Sequence, residues 1–281
     1  MRWRQFFTPV KSMNADEARR FIDRSTDGEF TLLDVRQPEE YDQGHIPGAQ
    51  LIPLPQLNDR LKELDTKKPT VVYCAIGGRS RVAAQMLAGQ GFETVFNLSG
   101  GFKAWTGENA VGPVDQGLEL FTGAESPAEA LVVGWGLEEG LRDFYLSMAG
   151  RQLPTEAVEL FKQLAGIEIR HQESIFEAWK QVTGEKISMA DFAKEKTLSA
   201  MEGGLTSEAY TARFQPDFRK PQDIIEVAMS IEAQALDLYL RAAARAKDET
   251  AQVLRRIAGE ERAHLAELGK LMGRVVNQKA A

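Results

Sequence analysis

Two sets of residues in this chain have types and spacings that could do chemistry. The first is a single thiol. Cys74 is the one cysteine among 281 residues, in the stretch Val72-Tyr73-Cys74-Ala75-Ile76-Gly77-Gly78-Arg79-Ser80. It falls between an apolar run and what reads as a helix beginning near Ser80. Such a junction gathers free backbone N–H groups, and Gly77 and Gly78 tolerate the dihedrals that aim them inward. A helix N-terminus and Arg79 both favour negative charge, so the thiol is expected to ionise readily, with a pKa pulled toward roughly 3.5–7.5. Free cysteines are more often buried apolar filler, but the adjoining glycines and arginine favour a reactive one.

The second set is spread over four helical stretches, about 127–149, 155–183, 222–247 and 249–273. Each carries an inward stripe at steps of three and four. The stripes run Leu131, Trp135, Glu138, Leu141, Tyr145, Met148; then Phe161, Leu164, Glu168, His171, Ile175. The third and fourth run Ile225, Ala228, Glu232, Ala235, Tyr239, Ala242; then Leu254, Ile257, Glu261, His264, Leu268, Leu271. Every stripe has one glutamate in its middle, and the second and fourth add a histidine three residues on. Glu138 precedes Glu168 by 30 residues and Glu232 precedes Glu261 by 29, an internal duplication with the unusual residues in register. One such glutamate would read as solvated. Six residues in register read as a site. Four bare carboxylates inside a helical bundle would be very costly, and two divalent cations balance their charge with both histidines neutral. One glutamate from each of two helices, with Glu-x-x-His from each of the others, is the dinuclear carboxylate pattern.

The elements that must position these residues follow two grammars. Up to about residue 108, the apolar runs 30–35, 70–73 and 94–98 read as buried strands alternating with helices at 14–22 and 80–89, which predicts a largely parallel α/β sheet. The Gly- and Pro-rich stretch 109–125 reads as a linker. Ser126-Pro127-Ala128-Glu129 is a helix start with serine cap, proline in the first turn and a capping-box glutamate. Two helical hairpins joined by the long connection 184–221 suit a four-helix bundle with one crossover.

Composition narrows the partners. A 43% hydrophobic, 27% charged chain is ordinary for a soluble globular protein, and a net charge of −7 without a basic face argues against nucleic acid. One cysteine excludes an internal disulfide. Residues 1–7 begin basic and then apolar, but the run is short and lacks a cleavage site, so no signal peptide is expected. No apolar segment reaches the roughly 20 residues that span a bilayer. A reducing, cytoplasmic setting away from membranes is the expectation.

Two resemblances sharpen this reading. Leu33-Asp34-Val35-Arg36, the run Glu40 to Ala49, Cys74-x-x-Gly77-x-Arg79-Ser80 and Leu98-x-Gly100-Gly101-Phe102-x-x-Trp105 together resemble a rhodanese domain over residues 15–108. The resemblance implies that Cys74 accepts a sulfane sulfur as a persulfide, that the backbone of Ala75, Ile76, Gly77 and Gly78 cradles it, and that Arg79 closes the loop. It places Arg36 to attract an anionic donor, with a merely solvated arginine as the alternative, and makes Asp34 and His45 structural. Related phosphatases have one residue more between cysteine and arginine; the four here favour sulfur transfer.

Residues 126–275 resemble a rubrerythrin-type, ferritin-like domain. That implies Glu138, Glu168, His171, Glu232, Glu261 and His264 as ligands of two iron ions, Glu168 and Glu261 bridging, with Tyr145 and Tyr239 near the carboxylates. Ala235 stands where rubrerythrins usually carry one more glutamate, and the four-cysteine iron domain that feeds them electrons is lacking. Manganese or zinc is also admitted by carboxylate and imidazole.

The fold expected is thus an α/β rhodanese-like domain, a linker, and an all-α ferritin-like four-helix bundle. The function expected is sulfur transfer through Cys74 coupled in one chain to a di-iron site that reduces peroxide or reacts with oxygen. The alternative is an iron-binding or persulfide-sensing protein whose metal site is structural or for storage. Partners implied are a thiosulfate or persulfide donor, an external thiol acceptor, an external electron donor and a second copy of the chain as homodimer.

Overall fold

The structure, a computed structural model, describes residues 9–195 and 207–279. Residues 1–7, read above as no signal peptide, and the middle of the 184–221 connection lie outside the described residues. The chain divides into two compact units, Met1–Val114 and Asp115–Ala281.

In the first unit five strands form one parallel sheet: β1 (Lys11–Met13), β2 (Thr31–Asp34), β3 (Gln50–Leu51), β4 (Thr70–Tyr73) and β5 (Val95–Leu98), in the order β1-β5-β4-β2-β3. Every residue of β4 is buried, as befits a central strand covered on both faces. Alternation splits the core into two faces. Leu33, Val72 and Cys74 pack with Ala83 and Leu87 on one side; Leu32, Val71 and Tyr73 pack with Ala18 and Tyr41 on the other. The helices are α1 (Ala15–Arg24), α2 (Pro38–Gln43), α3 (Gly78–Gly89) and the single turn α4 (Gly101–Ala104). Asn14 caps α1 in a reciprocal capping box with Glu17.

The three central strands lie where their apolar runs predict, whereas β1 and β3 were not anticipated. They are edge strands of three and two residues, too short for a periodic signal and kept short as edges usually are. Helix α3 also starts two residues earlier than expected, at Gly78.

The segment after β5 clasps the exit of β4. Phe102 N–H donates to Cys74 O at 2.7 Å and Lys103 N–H to Ala75 O at 3.0 Å. Between these strands' ends Gly101 holds φ +60°, and a Cβ there would overlap Cys74 O and Ala75 C. The glycine pair of the motif therefore sets how closely two loops approach.

The second unit is largely helical. Its long members are α5 (Pro127–Ala149), α6 (Thr155–Thr183), α9 (Pro221–Arg245) and α10 (Asp248–Lys279), with short helices α7 (Met189–Glu195) and α8 (Ser207–Phe214) in the connection. Helices α5 and α6 pack as one hairpin and α9 and α10 as another; α10 also packs on α5, and α6 on α9. Ser126 caps α5, accepting from Glu129 N–H while Glu129 accepts from Ser126 N–H, as its sequence predicts. Two apolar clusters fill the interior. One gathers Leu131, Trp135, Ile175, Tyr239 and Ile257; the other gathers Leu141, Tyr145, Phe161, Ile225 and Leu268. On each long helix the glutamate of the stripe falls between residues of the two clusters. No described helix is long and apolar enough to cross a membrane.

The clasp makes a prediction. Gly101→Ala is expected to cost about 2 kcal/mol or more in urea unfolding, through steric overlap and an unfavourable positive φ. Gly78→Ala, where a Cβ meets nothing within 4 Å, should be neutral or stabilise by about 0.5–1 kcal/mol as a helical Gly→Ala exchange. Equal effects of the two would contradict the clasp.

Candidate functional site

Cys74 follows directly on β4, at the carboxyl end of the parallel strands, where open α/β sheets place their ligands. Its side chain is buried. Gly77, at φ +94°, caps α3 and donates its N–H to Cys74 Sγ at 3.1 Å. Ser80 Oγ lies 3.5 Å from Sγ and 2.7 Å from Asn97 Oδ1, with one hydroxyl proton to share between them. Burial opposes a thiolate here. Hydrogen bonds from the Ser80 hydroxyl and from the backbone N–H groups of Ser80, Ile76 and Gly77 outweigh it, and the thiol ionises below its ordinary value. Within the loop Ala75 is half-buried, and Ile76 is 69% exposed at the tip. Gly78 opens α3 at the surface.

Arg79 is oriented by a residue the sequence reading did not single out. Its two terminal nitrogens donate to the two oxygens of Glu40, each at 2.6 Å. The Arg79 guanidinium holds the Glu40 carboxyl down to about 2, and Glu40 in turn raises Arg79. Nothing local in the sequence announces this pair, since 39 residues separate its members.

Arg36 is placed differently from expectation. Rather than facing a donor, it is buried and clamped: Nη2 donates to Asp34 Oδ2 and to Gly44 O, both at 2.7 Å, and Nε reaches both Asp34 oxygens. Its guanidinium lies 4.5 Å above the Phe102 ring. The correction has a plain cause: leaving a buried carboxylate unpaired would cost more than freeing one arginine gains. His45 stacks on Tyr41 at 3.6 Å and its Nδ1 lies 2.9 Å from Tyr41 O, a structural setting.

In the helical unit, the six residues spaced along four helices come together as two triads. Glu138, Glu168 and His171 form one; Glu232, Glu261 and His264 form the other, each with potential ligand atoms within 4.8 Å of one another. His171 Nδ1 is 3.3 Å from Glu138 Oε2 and 2.9 Å from Glu168 Oε2. His264 Nδ1 is 3.8 Å from Glu232 Oε2 and 3.4 Å from Glu261 Oε2. The imidazoles stack with centroids 3.2 Å apart and planes within 3°, which joins the triads into one cluster.

All four carboxylates are at most 2% exposed. Burial pushes the Glu168 carboxyl up. Burial also opposes the charge of Glu232, but hydrogen bonds with His264 and Glu261 outweigh it and hold that carboxyl low. Oxygen and imidazole donors, three to a side and neutral overall with two divalent ions, suit iron, manganese or zinc. Tyr145 and Tyr239 are buried on the same helices, among Phe144 and Phe161 and beside Phe121 respectively. Gln172, beside His171, is fully buried and accepts from Arg142 Nη1 at 3.0 Å; the stripe spacing gave no sign of it.

The Glu40–Arg79 pair can be checked by pH. A depressed carboxyl pKa means the pair is intact at neutral pH and is lost only as pH falls toward about 2. Carboxyl NMR should place the Glu40 midpoint near 2, and Arg79→Ala should return it toward the ordinary ~4.3. A midpoint already near that ordinary value in the wild type would contradict the pairing.

Comparison with known proteins concerns the first unit. The rhodanese-like domain family matches residues 15–108. The chain is 49% identical over 77 residues to the uncharacterized protein YqhL of Bacillus subtilis, covering 27% of this chain and 61% of that one. It is 40% identical over 83 residues to the putative sulfur carrier protein YrkF of the same organism, covering 30% and 45% respectively. It thus spans less than two thirds of either relative. A rhodanese-like domain protein from Staphylococcus aureus, of solved structure, is 31% identical over 36% of this chain and 98% of its own, with a TM-score of 0.34. Residues 15–108 of this chain are a rhodanese-like domain.

Proposed function

We propose that the protein is a sulfurtransferase that carries sulfane sulfur as a Cys74 persulfide, joined in one chain to a dinuclear iron carboxylate site that reduces peroxide or reacts with oxygen. For the thiol, the carrying observation is a nearly buried sulfur that meets converging N–H donors and ionises easily. The sulfur-carrier description of one relative supports the same reading.

The thiolate of Cys74 attacks the outer sulfur of thiosulfate. A Cys74 S–S bond forms, the donor S–S bond breaks, and sulfite leaves with the bonding pair. The N–H groups of Ile76 and Gly77, which converge on Cys74 Sγ, would stabilise the negative charge of the persulfide. Arg79, held by Glu40, supplies positive charge at the rim and favours anionic donors. An external thiolate attacks the terminal sulfur and restores Cys74, since the chain has no second cysteine to do so. An organic persulfide serves as donor by the same exchange.

For the helical unit, the carrying observation is four buried carboxylates gathered around two stacked imidazoles. Glu138, Glu168 and His171 would hold one ion, and Glu232, Glu261 and His264 the other. Iron bound there supplies two-electron redox chemistry toward peroxide or oxygen. The chain's own groups fix the ligand geometry and keep the surroundings apolar, while an external partner supplies electrons.

Two substitutions test the halves separately. Cys74→Ser should lower sulfur transfer from thiosulfate to cyanide by about 10³-fold or more, as loss of a nucleophile does; retained transfer would show that Cys74 is not the carrier. Glu261→Ala should lower the metal-to-protein ratio, read by elemental analysis after anaerobic iron loading. Metal content at the wild-type level would remove Glu261 from the ligand set.

A further inference from the structure

Between α6 and α10 a cavity of about 60 Å³ reaches the carboxylate layer. Glu168, Glu232 and His264 form its polar wall, Leu164 and Leu268 line its side, and half-buried Ile167 and exposed Glu267 stand at its rim. Its position follows from a break in the internal repeat. Each α6 position corresponds to the one 93 further on in α10, Glu168 to Glu261 and His171 to His264. By the same step Ser174 recurs as Glu267, and Ile167 as Glu260.

On one side of the seam Ser174 Oγ donates to Glu260 Oε1 at 3.1 Å, a polar latch across the two helices. At the repeat-related place the pair is Glu267 and Ile167. Isoleucine offers no hydrogen-bonding group to a carboxylate, so the latch cannot form, and the cavity lies there.

We propose that this cavity is the route by which a small reactant reaches the candidate metal ligands, and that Ile167 and Glu267 form a mouth left open by loss of the latch. The inference rests on the dinuclear reading above. One water needs at least ~10–15 Å³ of such space, so the cavity admits a molecule of a few heavy atoms, of the size of peroxide. It is too small for a peptide or nucleotide. Leu164, Leu268 and Leu271 make part of its lining apolar, and Glu267 and Arg274 add one charge of each sign.

The repeat itself supplies the test. The double substitution Ile167→Glu with Glu267→Ser rebuilds the latch at the open place, and Ile167→Trp plugs the same mouth by bulk. Azide association with the iron-loaded protein, followed by its optical change, is the readout, with metal content measured in parallel. Both variants should hold metal as the wild type does and take up azide on the order of tenfold more slowly, as expected when entry waits on opening. Full metal content with wild-type azide association in both would overturn the route alone. A wild-type protein that binds no iron would overturn the dinuclear reading and this route with it.

Discussion

Four carboxylates sharing a dry helical interior with two imidazoles is the constraint around which the second unit is arranged. Moving even one ionised carboxylate out of water costs several kcal/mol in practice. Placing four together adds mutual repulsion in a medium that screens it poorly. Apolar clusters on both sides of the layer confine water to the small cavity beside Glu168, Glu232 and His264, too little to solvate four charges. Remaining solutions are shared protons or bound cations. The pairing of each Glu-x-x-His with a glutamate of another helix is suited to the second.

The thiol loop handles charge by the opposite route. There a single developing anion is met chiefly by fixed dipoles: the Gly77 N–H, the first turn of α3 and the Ser80 hydroxyl. The nearest full positive charge, Arg79, is already engaged by Glu40. Its guanidinium also acts on the Cys74 sulfur. Arg36 is withdrawn altogether, its charge spent on Asp34 within the core. Geometry at the sulfur therefore depends on backbone placement, which the Gly101 clasp on Cys74 O and Ala75 O enforces.

What the sequence made legible follows from how far each signal reaches. Strands β2, β4 and β5 announce themselves as apolar runs and the four long helices through local period, and the helix stripes put the six clustered glutamates and histidines on inward faces before any coordinates. Edge strands β1 and β3 carry no such period. Pairings made only by tertiary folding were equally silent: Glu40 with Arg79, Gln172 with Arg142, Ser80 with Asn97. Arg36 shows the limit most clearly. Its motif was visible, yet the side chain's direction was decided by a buried aspartate two residues away.

The central claim is that cations, and not protons alone, are what this interior is built to hold. The most direct measurement is the unfolding free energy of the helical unit's signal in the full-length protein, taken after chelation and again after anaerobic addition of ferrous iron. Binding to the folded state alone predicts a rise of about 2.7 kcal/mol once free iron exceeds its dissociation constant a hundredfold. An unfolding curve that iron leaves unmoved, in protein that retains no metal after desalting, would contradict the account.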